Sequence, residues 1–308
     1  MKRTILAALA LATAAALSGC GAPADDRPLV VVTTNILGDV VTEVVAGQAE
    51  VMVLMRPNAD PHSFEISARE AARILDADLI VSNGLGLEEG LQQHLDAAAD
   101  AGVPLLEAGD VIETLAYDGA AVDSGAAEGA LDPHFWTDPA RMVDLVGALS
   151  EAVVEHVAGV DAAAVTAGAS TYTAQLDALD AEMASAFSAI PEERRSLVTN
   201  HHVFGYLAER FGFEVVGAVI PGGSTLAAPS ASDLRDLVDA IESAGVPTIF
   251  AESSQPDRLV QVLADEAGVD VAVVELFTES LSAPGEGADS YLTMMRTNTE
   301  RIATGLSP

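Results

Sequence analysis

The sequence predicts an α/β fold made of two similar lobes that a long helix separates. Three observations support this prediction. Short, continuously apolar segments alternate with helical patterns over residues 29–107, which is typical of buried parallel strands with helices between them. Residues 139–190 then consist almost entirely of Ala-, Val- and Leu-rich helical sequence. A second alternating series follows, so the pattern predicts four strands, a long helical region and four more strands.

The amino terminus has the features of a secretory signal. Residues 1–20, MKRTILAALALATAAALSGC, begin with Lys2 and Arg3 and continue as an apolar run that ends in small residues. Cys20 is the sole cysteine, which excludes an internal disulfide and disfavours a catalytic thiol. The tetrapeptide LSGC resembles a lipobox, so we expect cleavage before Cys20 and acylation of its thiol, rather than an incidental cysteine near a cleavage site.

These features predict where the protein is located. No later segment reaches the ~20 uninterrupted apolar residues that a membrane-spanning helix needs. We therefore expect an exported protein on the outer face of the cytoplasmic membrane, or in a periplasm, held by a lipid anchor.

The charge of the chain disfavours anionic partners. Its 308 residues contain 14 basic and 47 acidic side chains, for a formal net charge of −33, and removal of the signal makes the mature chain more negative still. Nucleic acids and anionic membrane surfaces are poor partners for such a chain. Because the acidic residues are scattered rather than clustered, we attribute most of this charge to solubility.

The first lobe is predicted over residues 29–160, after a linker at residues 21–28. Its predicted strands are LVVVTT, EVMVLM, DLIVS and VPLLE, at residues 29–34, 50–55, 78–82 and 103–107. Each is a short apolar run without alternation, as expected for a strand that is buried on both faces.

A linking helix and a second lobe follow. Residues 161–190 predict one helix with Asp161 as its N-cap, long enough at ~1.5 Å per residue to cross a whole domain. The second lobe is predicted over residues 191–308. Its predicted strands are SLVTN, EVVGAVI, PTIFAE and DVAVVEL, at residues 196–200, 214–220, 247–252 and 270–276, and a last helix spans about residues 290–304.

Four of the six histidines follow predicted strands rather than lying within helices. They are His62, His134, His201 and His202. Two of them belong to a repeated Asp-Pro-His sequence, and because proline fixes φ and removes a backbone donor, each of these histidines leaves a stiff, non-helical turn. Ligands of parallel α/β sheets collect at the carboxyl ends of strands, so we expect these histidines to line one cleft.

The residue types in this set predict a metal site. His62 and His134 come from the first lobe and His201 from the second, and the last strand leads to two acidic candidates, Glu275 and Glu279. Three neutral imidazoles and one carboxylate suit Zn²⁺ better than Mn²⁺, which prefers more oxygen ligands.

Two further acidic residues are predicted to support this site. Asp60 and Asp132 each stand two residues before a histidine. We expect them to orient the histidine rings or their loops by accepting hydrogen bonds.

Four motifs carry a resemblance to a known family. The segments PNADPHSFE, DPHFWTDP, HHVFGYLAERFG and TESLSAPGEGADSYLTMMRTNTERI resemble successive motifs of the cluster A-I metal-binding lipoproteins, the solute receptors of zinc and manganese ABC transporters. The resemblance covers essentially all of the mature chain. It implies two (β/α)₄ lobes, each with a parallel four-stranded sheet, joined by one long rigid helix, with the metal site in the interlobe cleft.

The resemblance also implies the ligands. It assigns His62, His134, His201 and Glu279 as the metal-binding set, with His202 as a neighbour. Family members supply His or Glu where this chain has His201, and the histidine resembles the zinc-type receptors. They usually have aspartate where Glu279 stands, so this glutamate must reach one methylene further. Residues 117–130 lack the histidines that zinc-specific members often carry before the second histidine motif.

The resemblance implies a non-enzymatic, monomeric, high-affinity Zn²⁺ receptor outside the cytoplasm that delivers metal to an ABC transporter permease. A Mn²⁺ receptor of the same family is the alternative. A zinc-dependent hydrolase is a rival of another class, since three histidines with a bound water would suffice if Glu279 were not a ligand, but the sequence contains no HExxH pair or serine nucleophile motif. A surface adhesin is a third possibility, because some family members have been assigned that role.

Overall fold

The computed structural model describes residues 27–117, 127, 129–220, 224–226, 230–253 and 271–307. The signal peptide with Cys20 and all but the end of the predicted linker lie outside these residues. Within the described part of the chain, every helix lacks the combination of length and apolar character that crossing a membrane requires.

The first lobe contains a parallel sheet of four strands in the order β2-β1-β3-β4 among the described residues. The strands are β1 (Leu29–Val32), β2 (Glu50–Val53), β3 (Leu79–Ser82) and β4 (Leu105–Glu107). The helices that connect them are α1 (Asn35–Val45), α2 (Ala68–Ile74) and α3 (Gln92–Asp100). Every residue of β1 and β3 is buried, which explains their continuous apolar sequence.

Two long helices follow the sheet of the first lobe. Helix α4 (Pro139–His156) begins with proline at its first position, and Asp138 caps it by accepting a hydrogen bond from the backbone N–H of Ala140. Helix α5 (Ala162–Ser188) has 27 residues, roughly 40 Å at ~1.5 Å per residue, and Asp161 caps it. Its buried residues recur every three or four positions, which gives α5 one apolar face: Val165, Ala169, Tyr172, Leu176, Leu179, Met183 and Phe187.

Helix α5 approaches α1 closely enough to require a glycine. A Cβ on Gly168 would lie 2.8 Å from the carbonyl oxygen of Val44 and 2.9 Å from that of Glu43. The linking helix is therefore packed directly on the backbone of the first lobe.

The second lobe repeats the topology of the first. Its described strands are β5 (Ser196–Thr199), β6 (Glu214–Ala218), β7 (Thr248–Glu252) and β8 (Ala272–Leu276), and its described helices are α6 (Gly205–Phe211), α7 (Ala231–Ala244) and α8 (Tyr291–Leu306). The strand order is β6-β5-β7-β8, and all pairs are parallel. In both lobes the order reverses beside the first strand, so each lobe has a switch point where a ligand site is expected.

The predicted fold class is confirmed: two parallel four-stranded α/β lobes are joined by one long helix. Several predicted strands were one or two residues too long. Thr34, for example, ends the first apolar run as the N-cap of α1, with its side chain accepting a hydrogen bond from the backbone N–H of Leu37. Its hydroxyl thus starts a helix instead of continuing the strand.

Candidate metal centre

Four side chains from four separate loops meet between the two lobes. His62 follows β2, His134 follows β4 at some distance, His201 follows β5 and Glu279 follows β8. Their exposed fractions are 3%, 0%, 0% and 1%, respectively. The residues predicted as ligands are thus brought together in one buried cluster, in which each offers one ligand atom within 4.8 Å of the others.

The distances suit a tetrahedral metal site. Oε1 of Glu279 lies 2.9 Å from Nε2 of His62, 3.1 Å from Nε2 of His134 and 3.1 Å from Nε2 of His201. The Nε2 atoms of His62 and His134 are 3.4 Å apart. Zinc bonds of ~2.0–2.1 Å at tetrahedral angles separate neighbouring ligand atoms by roughly 3.3 Å. A small outward shift of the carboxylate would therefore make room for an ion.

The other acidic candidate at this strand end lies elsewhere. Glu275, inside β8, is exposed, and its Oε1 lies 3.7 Å from Nη1 of Arg301. Of the two carboxylates that the sequence offered, Glu279 is the one in the cluster.

Two further carboxylates lie against the Nδ1 atoms of the histidine rings, on the side away from Glu279. Nδ1 of His134 lies 2.6 Å from Oδ1 of Asp132, which also accepts a hydrogen bond from the backbone N–H of His134 at 2.9 Å. Nδ1 of His201 lies 3.1 Å from Oε2 of Glu252. A neutral imidazole with its proton on Nδ1 has a free electron pair on Nε2, so both contacts favour the tautomer that can bind metal.

Asp60 has a different role from Asp132, although both belong to Asp-Pro-His sequences. Its Oδ1 accepts a hydrogen bond from the backbone N–H of His62 at 2.9 Å. Its Oδ2 accepts from the hydroxyls of Ser63 at 3.0 Å and Thr225 at 2.7 Å. Asp60 therefore shapes the turn and ties it to the second lobe. His202 is buried at 4% exposure but is not among the four converging residues.

Electrostatic interactions inside the cluster are strong. Burial alone would lower the pKa of His134, but the carboxylates of Asp132 and Glu279 outweigh it and raise this pKa. Burial likewise opposes the charged form of His201, yet Glu279 and Glu252 hold its pKa well above the usual value. Burial would raise the pKa of Glu279, but the surrounding histidines, His201 first, hold it well below its usual range. Glu279 thus forms ion pairs with His134 and His201, and a divalent cation would replace these ion pairs.

One carboxylate oxygen in the cluster is unpaired within the described part of the chain. Oε2 of Glu279 is buried and accepts no hydrogen bond from the described residues. An unpaired buried carboxylate oxygen is costly, and a bound cation would satisfy it. The residues present thus fit a divalent metal both in donor type and in charge.

The loop that carries Glu279 is held by side chains of the first lobe. The indole N–H of Trp136 donates to the carbonyl oxygen of Thr278 at 2.8 Å. On the other side of Glu279, the amide of Asn35 donates to the hydroxyl of Ser280 at 2.8 Å and accepts from the backbone N–H of Leu281 at 2.9 Å. Glu279 is therefore fixed against the first lobe on both sides.

Two residues near the site were not found from the sequence. Glu252 ends the predicted strand PTIFAE, and its place at the carboxyl end of β7, next to β5, was the available signal. Asn35 lies in the first turn of a helix, and nothing in its sequence context pointed to the Glu279 loop.

Comparison with known proteins places this architecture in a family. The sequence model of the family described as zinc-uptake complex component A, periplasmic (ZnuA), matches residues 30–305. The solved structure of the periplasmic zinc-binding protein TroA from Treponema pallidum has a TM-score of 0.83 and 30% sequence identity, over 92% of this chain and 100% of that chain.

The curated relatives carry names that refer to different metals. The zinc-binding protein TroA of Treponema pallidum is 32% identical over 93% of this chain and 91% of its own length. The manganese-binding lipoprotein MntA of Halalkalibacterium halodurans is 28% identical over 100% of both chains. The iron-binding protein YfeA of Yersinia pestis is 28% identical over 98% of this chain and 94% of its own length.

Proposed function

Because the chain belongs to the family of zinc-uptake complex component A, a family of metal-binding solute receptors of ABC transporters, we propose that it captures Zn²⁺ outside the cytoplasm and delivers it to a transporter permease. The convergence of three histidine nitrogens and one glutamate oxygen in a buried site carries this proposal. Acylation of Cys20 would keep the receptor next to the permease.

The choice of zinc rests on the donor atoms. His62, His134 and His201 would each supply Nε2, and Glu279 one oxygen. Nitrogen-rich four-coordinate sites suit Zn²⁺, whereas Mn²⁺ prefers oxygen ligands and higher coordination. The names of the relatives refer to zinc, manganese and iron, so they do not identify the metal of this chain. The proposal of zinc is therefore based on the donor atoms of the site.

The same donor set favours a receptor over a zinc hydrolase. A catalytic zinc site has three protein ligands and a water in the fourth position. Here Glu279 would take that fourth position. The adhesin alternative has no comparable support from the site, since metal capture does not require a surface partner.

A competition titration tests the proposal. Protein lacking residues 1–20 would be stripped of metal and titrated with Zn²⁺ and Mn²⁺ against a chelator of known affinity. We expect one equivalent of Zn²⁺ to bind, more tightly than Mn²⁺. Manganese bound as tightly as zinc would overturn the assignment of the metal, and absence of tight binding of either ion would overturn the receptor function.

Tryptophan fluorescence provides an independent check. Trp136 is the only tryptophan, and its ring centroid lies 5.3 Å from that of His134. Metal binding at His134 should change the emission of Trp136 until one equivalent has been added. Unchanged emission across a saturating titration would count against a site at His134.

A further inference from the structure

We propose that Glu252 is a positioning residue of the metal centre, which holds the ring of His201 so that Nε2 faces the metal. This inference rests on the proposed function as a metal receptor. It assigns a role to a buried acidic residue that lies outside the set of four converging ligands.

The sheet of the second lobe brings Glu252 to His201. Glu252 is the last residue of β7, which lies beside β5, and His201 follows β5 by two residues. Glu252 is 2% exposed, and its Oε2 lies 3.1 Å from Nδ1 of His201. The contact is close but not aligned as a hydrogen bond, and a small rotation of either side chain would align it.

The buried position of Glu252 is energetically unfavourable for an acidic side chain. The three residues before it in β7, Ile249, Phe250 and Ala251, are all at most 3% exposed. Burial and the neighbouring carboxylate of Glu279 both disfavour a charged side chain at this position. Stability alone would favour an apolar side chain at this strand end, so the carboxylate calls for a functional explanation.

The pair formed by Asp132 and His134 supplies that explanation. In both pairs a carboxylate lies against Nδ1 of a histidine while Nε2 of the same ring lies 3.1 Å from Oε1 of Glu279. A carboxylate at Nδ1 fixes the ring orientation, retains the Nδ1 proton and makes Nε2 a better metal ligand. Glu252 thus does for the second lobe what Asp132 does for the first.

The test compares Glu252→Ala and Glu252→Gln with Glu88→Gln. Glu88 is a suitable control because it is also buried, at 4% exposure, and its Oε1 accepts hydrogen bonds from Thr33 and Asn83, neither of which is among the four ligands. Zinc affinity would be measured by chelator competition, and the melting temperature of each metal-free variant by calorimetry.

We expect Glu252→Ala to lose about 10- to 100-fold in zinc affinity, the usual effect of removing such a partner. Glu252→Gln should recover part of this loss, because its amide oxygen can still accept a hydrogen bond from Nδ1–H of His201. Glu88→Gln should bind zinc like the wild type. The metal-free Glu252→Gln protein should melt no lower than the wild type, since the substitution replaces a buried ionisable group next to Glu279 with a neutral one of similar size.

A spectroscopic measurement separates positioning from a purely structural role. Nitrogen-15 NMR of labelled histidines in the zinc-loaded protein should show His201 protonated at Nδ1, and Glu252→Ala should weaken or abolish that signature. Zinc affinity within twofold of the wild type in Glu252→Ala, or an unaltered His201 signature, would overturn the inference. Failure of the wild-type protein to bind zinc would instead overturn the proposed function.

Discussion

The two lobes orient their histidines by different means. In the first lobe, Asp132 stands two residues before His134, and one Asp-Pro-His turn holds both the carboxylate and the ring that it contacts. In the second lobe, Glu252 ends β7 and His201 follows the neighbouring strand β5, so the two side chains meet only when β5 and β7 pair. A single turn therefore sets the orientation of His134, whereas the pairing of two strands sets the orientation of His201.

This difference matters for how the site responds to change. A stiff turn holds its carboxylate and its histidine together by local geometry. A contact across strands depends on the packing of the whole second lobe. The loop of Glu279 belongs to the second lobe in sequence but is bonded to Asn35 and Trp136 of the first.

Removal of the histidines should have the largest effect. Both His134→Ala and His201→Ala should lower zinc affinity at least about 100-fold, or about 2.7 kcal/mol, because each leaves the metal with one ligand fewer. Competition titration would measure the loss, with His94→Ala as the control, since His94 is exposed on α3. An equal loss in His94→Ala would contradict the assigned site.

The two Asp-Pro-His turns should respond unequally to loss of their acidic residues. Asp132 contacts the ring of His134, so Asp132→Ala should cost about 10- to 100-fold in zinc affinity. Asp60 contacts a backbone N–H and two hydroxyls, so Asp60→Ala should mainly lower thermal stability, by about 1 kcal/mol, with a smaller change in affinity. Titration and thermal unfolding of the same two proteins would test this, and reversal of the ranking would refute the separate roles.

The contact between the lobes at Gly205 should have an intermediate effect. A Cβ at Gly205 would lie 2.6 Å from Oδ2 of Asp132, so Gly205→Ala must displace this carboxylate or the start of α6. We expect about a tenfold loss of zinc affinity, equivalent to about 1.4 kcal/mol.

Gly147 provides the matched control for this substitution. It lies within α4, and nothing lies within 4 Å of a Cβ placed there. Gly147→Ala should therefore leave zinc affinity unchanged and stabilise the helix by up to about 1 kcal/mol. Equal zinc affinities for the two variants would show that the lobe contact does not affect the site.

The smallest expected effect concerns a junction between the lobes. Asp39 of α1 accepts a hydrogen bond from the backbone N–H of Tyr291, the first residue of α8, at 2.9 Å. Burial, opposed by this hydrogen bond and reinforced by Glu43 and Asp289, raises the pKa of Asp39 to about 6. The Tyr172 hydroxyl of α5 also faces this carboxyl and lowers its pKa in part.

The sign of the pH dependence follows from the raised pKa. Between the ordinary pKa of Asp and about pH 6, the folded protein holds a proton that the unfolded chain has released, so folding is favoured as pH falls. From pH 7.5 to 5.5 the wild type should gain about 1 kcal/mol in unfolding free energy relative to Asp39→Asn. Denaturant unfolding would measure this, with Asp177→Asn, at an exposed position of α5, as the control. A difference that stays constant with pH would contradict the role of Asp39.

Much of the fold and the ligand set could be predicted from the sequence because the signals are local. Continuous apolar runs indicate buried parallel strands, and the Asp-Pro-His repeat marks two turns by its own residues. Glu275 lies near the end of the last predicted strand and Glu279 follows it, so the apolar pattern did not show which of them is the ligand. Only the family resemblance distinguished Glu279. The role of Glu252 depends on which strands are neighbours, which periodicity alone does not reveal. The hydrogen bonds between Asn35 and the Glu279 loop depend on the packing of one lobe against the other.

Crystallography of the zinc-loaded protein, with anomalous diffraction at the zinc edge, tests the central claim most directly. We predict one zinc ion between the lobes, bonded to Nε2 of His62, His134 and His201 at ~2.0–2.1 Å and to an oxygen of Glu279 at ~2.0–2.2 Å. Zinc bound to the three histidines and a water, with Glu279 turned away, would contradict the claim and favour a hydrolytic site. Zinc bound elsewhere on the chain would contradict it altogether.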